Sequence, residues 1–370
     1  MTSGWRDSLT ARLRPALRKE ALWLLVPVTF FVGIALTTPR FEYESDAHVY
    51  RMMAIDPHGI PEIQDVKKWR LLLPALASVG LRLGVTQETF YRGVSLLSSC
   101  LAALCVGLIH VRYQKGLFRD ACLLATLFLV TPMSMKWFLS YPILTDACGS
   151  ALVIGTITCA LLEWDALGAV LIVLGVLVRE QILAAVAFYA VLRPVRTLWV
   201  PLAGIATFFL VRWQLPLDVT RTRNNFSYAS ALKFLLTPWY LLHGAGIAFV
   251  AVAVNRLAGA WTAFGILSLL LFYGTGDLST RYSHYLSYPI LFAVGAALVS
   301  SERKTKGTAA LAACLALQCL YFNPFYPAYT NDDLDMSYAL QDGRRPPSLG
   351  RFLFGHGPTP TPTPVPTAPP

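Results

Sequence analysis

Residues 166–192 read ALGAVLIVLGVLVREQILAAVAFYAVL, two apolar runs separated by Arg179, Glu180 and Gln181. Charged residues between such runs are costly in a hydrocarbon environment unless they pair or face a cavity. If the two runs are separate spans, Arg179 and Glu180 mark a turn at the outer surface of a membrane. If the helix is continuous, they lie within the membrane, where the two neighbours could also compensate each other.

Apolar residues also predominate over the whole chain of 370 residues. Charged residues make up 14% of it, apolar residues 55%, and the mean hydropathy is +0.52. A soluble domain carries about 25% charged residues, so this composition predicts a multi-pass membrane protein. The net charge of +10 comes from basic residues scattered between apolar segments, without a basic stripe or an aromatic RNA-binding motif. Nucleic acid is therefore excluded as a partner.

A membrane span needs about 20 mainly apolar residues, and about eleven segments satisfy this pattern. We expect an all-α, polytopic transmembrane bundle (21–323) after a cytoplasmic segment (1–20) and before an extracytoplasmic Pro/Thr-rich flexible tail (324–370). The short apolar segment 71–84, in a first outer loop over 39–91, predicts an interfacial helix. The predicted spans are 21–37, 92–111, 120–138, 146–163, 166–180, 181–193, 197–213, 233–255, 257–273, 285–300 and 308–322.

The positive-inside rule supports a cytoplasmic N-terminus. In that orientation the inside loops are short and basic, as with Arg193, Arg196 and Arg256, except for the acidic corner at Glu163–Asp165. The loops around 39–91, 141–146, 221–225 and 274–284 then all lie on the outer face, where the polar residues of the chain converge.

The first outer loop carries the candidate base. Asp46 follows the first span, with Glu44 two residues before it and Tyr50 four residues after it. A carboxylate at a membrane–water boundary can remove a proton from an acceptor hydroxyl. The alternative is a solvated loop acid. Farther along the same loop, Arg70 at the head of the interfacial segment could bind a lipid phosphate or serve only as an anchor.

Two later segments on the outer face supply further candidates. Asp146 opens a span after Thr145, where either residue could simply cap the helix. The segment 277–285 contains Arg281, Tyr282 and His284. A guanidinium matches phosphate oxygens two at a time, so Arg281 is a candidate phosphate clamp, although the tyrosines also suit a membrane interface.

The order of these features resembles the GT-C class of integral membrane glycosyltransferases, which use sugars carried on a polyprenyl phosphate or pyrophosphate. The resemblance runs from the first span to about residue 300. It consists of an acidic residue after the first helix, an interfacial helix, a Thr-Asp opening a span, an Arg-Glu after an apolar run, and an Arg-Tyr before a proline-containing helix. The residues concerned are Ser45–Tyr50, Trp69–Leu76, Thr145–Asp146, Val178–Glu180 and Arg281–Pro289.

The resemblance implies an inverting glycosyltransferase of a bacterial-type inner membrane, with its active site on the extracytoplasmic side. Asp46 would be the catalytic base. The donor phosphate would be held by Arg281, Arg179 and Arg70, and substrate contacts would come from Glu44, Tyr50, Asp146, Glu180, Tyr282 and His284.

The implied partners are a polyprenyl-phosphate sugar, membrane lipids, and a glycan, lipid or protein acceptor. Some members have a second acidic residue where this chain has Ala47, so no metal is assigned and no cofactor is certain, although a divalent metal stays open. The alternative functions are a transporter or flippase of a lipid-linked sugar, and a surface-glycan polymerase or ligase.

Overall fold

The computed structural model describes residues 25–37, 47–55, 70–129, 145–214, 256–274, 285, 287–300, 305, 307–309 and 313. This part of the chain is helical and contains no strand, which confirms the all-α prediction. A π-helical turn (Ile109–Tyr113) continues the helix Gln87–Leu108, and a 3-10 turn (Val195–Thr197) precedes the helix Trp199–Gln214. The helices are α1 (Leu25–Thr37), α2 (Ala47–Ile55), α3 (Leu72–Arg82), α4 (Gln87–Leu108), α5 (Phe118–Leu129), α6 (Asp146–Leu162), α7 (Asp165–Val178), α8 (Ile182–Leu192), α9 (Trp199–Gln214), α10 (Arg256–Gly274) and α11 (Ser287–Val299).

The two apolar runs around Arg179 form an antiparallel helical hairpin, α7 and α8. Gly168 near the start of α7 packs against Tyr189 near the end of α8, and Gly175 near the end of α7 packs against Ile182 at the start of α8. The runs are therefore two separate helices. Their connecting turn is buried within the protein, since Arg179 is only 2% exposed and Glu180 only 7%.

Helix directions around this hairpin follow from side-chain contacts. Ser98 contacts Cys148 and Cys105 contacts Thr158, so α4 and α6 run parallel. The hydroxyls of Ser150 and Tyr288 form a hydrogen bond, which places the start of α11 beside the start of α6. Several helices therefore begin at the end of the bundle where the α7–α8 turn lies.

Charged residues gather at both ends of the bundle. At one end, Arg193 pairs with Glu163 at 2.7 Å and with Asp165 at 3.3 Å, and Arg256 donates to the Arg193 carbonyl at 2.6 Å. We call these four residues the Arg193 cluster. At the other end, five residues form the Arg179 cluster: Tyr50, Arg70, Asp146, Arg179 and Glu180. Helix α6, with 17 residues, separates the two clusters by about 25 Å.

Two helices within the described residues are long and apolar enough to cross a membrane, judged by length and composition alone. These are Gln87–Tyr113, which is 56% buried along its apolar window, and Val195–Gln214, which is only 22% buried. The second includes α9, whose exposed face carries Leu202, Phe209 and Trp213. Such a continuous apolar face is typical of a surface that contacts lipid or a partner protein.

The segment 71–84, predicted to lie at a membrane interface, does form a helix, α3. Helix α2 has nine residues and begins directly after the position of Asp46, and one of its faces is apolar. That face packs Tyr50, Met53 and Ala54 into a small core with residues of α3 and α4. The predicted spans 233–255 and most of 308–322, and the tail 324–370, lie outside the described residues.

Candidate functional site in the Arg179 cluster

A buried ion pair joins the first loop of the chain to the α7–α8 turn. The guanidinium of Arg70, directly before α3, contacts both carboxylate oxygens of Glu180, with Nη2–Oε1 at 2.5 Å and Nε–Oε2 at 3.2 Å. Its remaining nitrogen, Nη1, donates to the hydroxyl of Tyr50 at 2.8 Å. The fork of arginine suits this bidentate arrangement, which fixes the relative orientation of the two groups.

The small core under α2 positions this pair. Tyr50 is fully buried there, and Tyr91 of α4 donates a hydrogen bond to its carbonyl oxygen at 3.4 Å. Val178, the last residue of α7, packs in the same core. The segments around residues 50, 70, 91 and 178 therefore meet at one point, although they are far apart in the sequence.

Arg179 forms the second ion pair of the cluster. Its Nη1 lies 2.7 Å from Oδ2 of Asp146 and donates to Oγ1 of Thr145 at 3.4 Å. Thr145 stands at the N-cap position of α6, but its side chain makes no capping hydrogen bond. The capping alternative is therefore wrong for Thr145, whose hydroxyl contacts Arg179 instead.

Gly149 provides the space for this second pair. A Cβ placed on Gly149 would lie 3.3 Å from Cβ of Arg179 and 3.4 Å from the hydroxyl of Tyr285. The absence of a side chain thus lets Arg179 and Tyr285 approach the first turn of α6. Tyr285 is the last residue of the predicted site segment 277–285, so this contact places the end of that segment beside the cluster.

Glu180 lies beside two arginines. Arg70 contacts both of its carboxylate oxygens, and Arg179 precedes it in the sequence. Because a bidentate contact fixes the geometry of both groups, Glu180 holds Arg70 in place.

A narrow, partly open cavity lies next to the Arg70–Glu180 pair. Arg70, Glu180 and Val176 form one wall, and Phe208, Val211 and Arg212 of α9 form the other. The guanidinium carbon of Arg212 lies 3.4 Å from the centre of the Phe208 ring, one helical turn away. Two arginines and one carboxylate thus share a cavity whose remaining walls are apolar.

The predicted site residues fall into two sets. The structure brings together Tyr50, Arg70, Asp146, Arg179 and Glu180, which come from four separate segments. The proposed base Asp46, with Glu44, and the phosphate-clamp segment with Arg281, Tyr282 and His284 lie outside the described residues. Their roles stay predictions.

Two residues of the site were missed by the sequence reasoning. Arg212 was counted only as part of a span, although an ionisable residue near the end of an apolar helix is itself a signal of function. Gln181 was noted only as a neighbour of Arg179 and Glu180. It is 2% exposed, and neither its amide oxygen nor its amide nitrogen has a hydrogen-bond partner among the described residues.

The chemistry of the site rests on charge and hydrogen bonding. Within the described part of the chain, no three His, Cys, Asp or Glu side chains come together as a metal site would require. The groups present are suited to bind an anion and to orient a polar substrate at the edge of an apolar region. Neither a protein-family model, nor a characterised protein, nor a solved structure matches this chain.

Proposed function

We propose that this chain is a multi-pass membrane glycosyltransferase that transfers a sugar from a polyprenyl-phosphate donor to an acceptor hydroxyl. The active site would face the extracytoplasmic side of a bacterial-type inner membrane. The acceptor would be a glycan, a lipid or a protein. Asp46 would act as the base, and Arg281 would bind the donor phosphate.

One observation carries this proposal: the convergence of the Arg179 cluster. Five of the ten predicted site residues meet at one end of the bundle, and Tyr285, the last residue of the segment 277–285, lies at the same end. Asp46 directly precedes α2 in the sequence, and α2 carries Tyr50 of the cluster. Buried ionisable groups gathered in this way are typical of functional sites.

The reaction would be a single displacement with inversion. Asp46 would accept the proton of the acceptor hydroxyl while the acceptor oxygen attacks the anomeric carbon of the donor sugar. The bond between that carbon and the phosphate oxygen would break, and the electron pair would leave with the polyprenyl phosphate. Arginine side chains would stabilise the negative charge that develops on the leaving phosphate, an effect that increases where water is excluded.

The test is sugar release from a panel of polyprenyl-phosphate sugars by the purified full chain in detergent. We expect Asp46→Asn to lose about 10²-fold in rate, the scale of a general base, and Arg281→Ala to lose a comparable factor. The matched control is Glu163→Gln in the Arg193 cluster, which removes an acidic residue at the opposite end and should retain the wild-type rate.

Two outcomes would contradict the proposal in different ways. Wild-type rates for Asp46→Asn would show that the base is another residue. If no donor turns over, even with a membrane extract as the source of acceptors, transport of a lipid-linked sugar without chemistry becomes the leading function. Transport would then be measured in sealed vesicles, because it requires a closed compartment.

A further inference from the structure

A second narrow cavity lies inside the bundle, between the π-helical turn that continues α4 and the helices α10 and α11. Its polar lining residues are His110 and Gln114 from the end of α4, Trp261 of α10 and Tyr288 of α11, and its other lining residues are apolar. The cavity has room for about one water molecule. A buried water needs two to four polar partners, so the polar atoms on the walls decide what binds there.

Hydrogen bonds determine which polar atoms beside the π-helical turn are donors. Nε2 of Gln114 donates to the carbonyl oxygen of Phe292 at 2.7 Å, and Oε1 of Gln114 lies 2.9 Å from Nδ1 of His110. Because the Phe292 carbonyl can only accept, the amide nitrogen faces Phe292 and the amide oxygen faces His110. Nδ1 of His110 therefore carries the hydrogen, which leaves Nε2 as an acceptor in the neutral ring.

Nε2 of His110 is a buried acceptor without a donor. The side chain is only 1% exposed, and Nε2 has no hydrogen-bond partner among the described residues. A Cβ on Gly116 would collide with Nε2 and with both ring carbons bonded to it, as an atom above the face of the ring does. Gly116 therefore covers the face of the ring, and the in-plane lone pair of Nε2 is directed elsewhere.

Trp261 supplies a matching donor. Its indole Nε1–H is buried and has no acceptor in the part of the chain that the structure describes. The centre of its ring lies 5.4 Å from the centre of the Phe292 ring, and the Phe292 carbonyl holds Gln114. Buried polar groups of native proteins nearly always have a partner, either in the protein or in an ordered water. A donor and an acceptor that line one cavity favour a molecule that can both accept and donate.

We propose that this cavity binds one water molecule, which accepts a hydrogen bond from Nε1 of Trp261 and donates one to Nε2 of His110. The water joins α10 to the π-helical turn, and Gln114 joins that turn to α11. One polar chain thus links three helices inside an otherwise apolar region. An apolar molecule would leave both the indole N–H and the imidazole nitrogen unpaired, which is costly at a buried site.

Ultraviolet resonance Raman spectroscopy of the full chain in detergent tests the donor, because a vibration of the indole ring reports whether Nε1–H is hydrogen-bonded. The chain has nine tryptophans, so the Trp261 band is obtained by subtracting the spectrum of Trp261→Phe. We expect the band of a hydrogen-bonded indole in the wild type.

A variant that displaces the water makes this test decisive. Val106 lines the cavity, and Val106→Ile adds one methylene group there while keeping every polar atom. The Trp261 band should then shift to the position of a free indole. The matched control is Val170→Ile, the same change at a residue that is 53% exposed, and it should leave the band unchanged. Each variant is first shown to be monodisperse and to retain its thermal transition.

Nitrogen-15 NMR of histidine-labelled protein tests the acceptor in mildly alkaline buffer, where imidazole is neutral. The chain has six histidines, and the signals absent from His110→Gln or His110→Asn belong to His110. We expect hydrogen on Nδ1 and a hydrogen-bonded Nε2 in the wild type. Val106→Ile should keep this tautomer and shift only the Nε2 signal, because it removes the water and leaves Gln114 in place.

Specific outcomes would overturn the inference. A free indole in the wild type would show that Trp261 has no bound partner, and a band unmoved by Val106→Ile would show that its partner lies outside the cavity. Hydrogen on Nε2 of His110 would refute the assigned acceptor. Neither measurement involves sugar transfer, so failure of this inference leaves the proposed function untouched, and failure of the proposed function leaves the water site untouched.

Discussion

At the scale of single residues, the pair Arg70–Glu180 dominates the site. Both side chains are buried and face each other at 2.5 Å, and their segments are separated by 110 residues. Removing one partner of a buried pair leaves an uncompensated charge, which is far more costly than breaking a surface pair. The pair therefore couples the position of the first loop to the α7–α8 turn.

We predict that Glu180→Gln lowers the free energy of unfolding by about 3–5 kcal/mol. The matched control is Glu88→Gln, which removes a pair of similar length, 2.8 Å, from an exposed position on α4. That change should cost no more than about 1 kcal/mol. Thermal unfolding in detergent gives both values. Equal losses in the free energy of unfolding for the two variants would show that the buried pair stabilises the protein no more than the exposed pair does.

At the scale of helices, glycines set how closely α7 and α8 pack. A Cβ on Gly175 would lie 2.5 Å from Cγ1 of Ile182, too close for any real contact, whereas a Cβ on Gly93 of α4 would meet nothing within 4 Å. The two glycines are thus a matched pair, one at a close helix contact and one on an open helix surface.

We predict that Gly175→Ala destabilises the protein by about 1–3 kcal/mol through overpacking. Gly93→Ala should be neutral or stabilise it by up to about 1 kcal/mol, because alanine favours a helix. In the double variant Gly175→Ala with Ile182→Ala, the removed side chain makes room for the new methyl group. Thermal unfolding of the two single variants and the double variant measures this. If the double variant loses as much free energy of unfolding as the two single variants together, the close contact is contradicted.

Helix positions could be predicted from this sequence, but helix partners could not. The apolar runs 146–163 and 166–180 correspond to α6 and α7 because charged residues end each run sharply. The contacts of Glu180 with Arg70 and of Arg179 with Asp146 link separate segments, and hydrophobic periodicity carries no information about such partners. For the same reason Arg212 was assigned to a span and its cavity was missed.

At the scale of the whole molecule, the two charged clusters define two ends. The basic residues predicted to be cytoplasmic, Arg193 and Arg256, meet at one end together with Glu163 and Asp165, the acidic corner that departed from the positive-inside pattern. That corner is therefore explained by its pairing with Arg193. In the proposed membrane orientation, the Arg179 cluster faces outward.

We predict opposite accessibility for cysteines placed at the two ends. Leu83→Cys, after α3, and Val195→Cys, before α9, replace residues of nearly equal exposure, 77% and 79%. A membrane-impermeant maleimide added to spheroplasts should label only Leu83→Cys, and both should react after lysis. The wild-type chain, with its seven cysteines, supplies the background. Labelling of Val195→Cys in intact spheroplasts would contradict the orientation.

The short helices of the α7–α8 hairpin determine how deep its turn would lie in a membrane. At 1.5 Å per residue, the 14 residues of α7 reach about 21 Å, while the 27 residues from Gln87 to Tyr113 reach about 40 Å. The hydrocarbon layer of a bilayer is about 30 Å thick. In the proposed membrane, the turn with Arg179 and Glu180 would thus form the floor of a recess sunk below the headgroup level, and a prenyl chain could stay immersed while its phosphate reached the arginines.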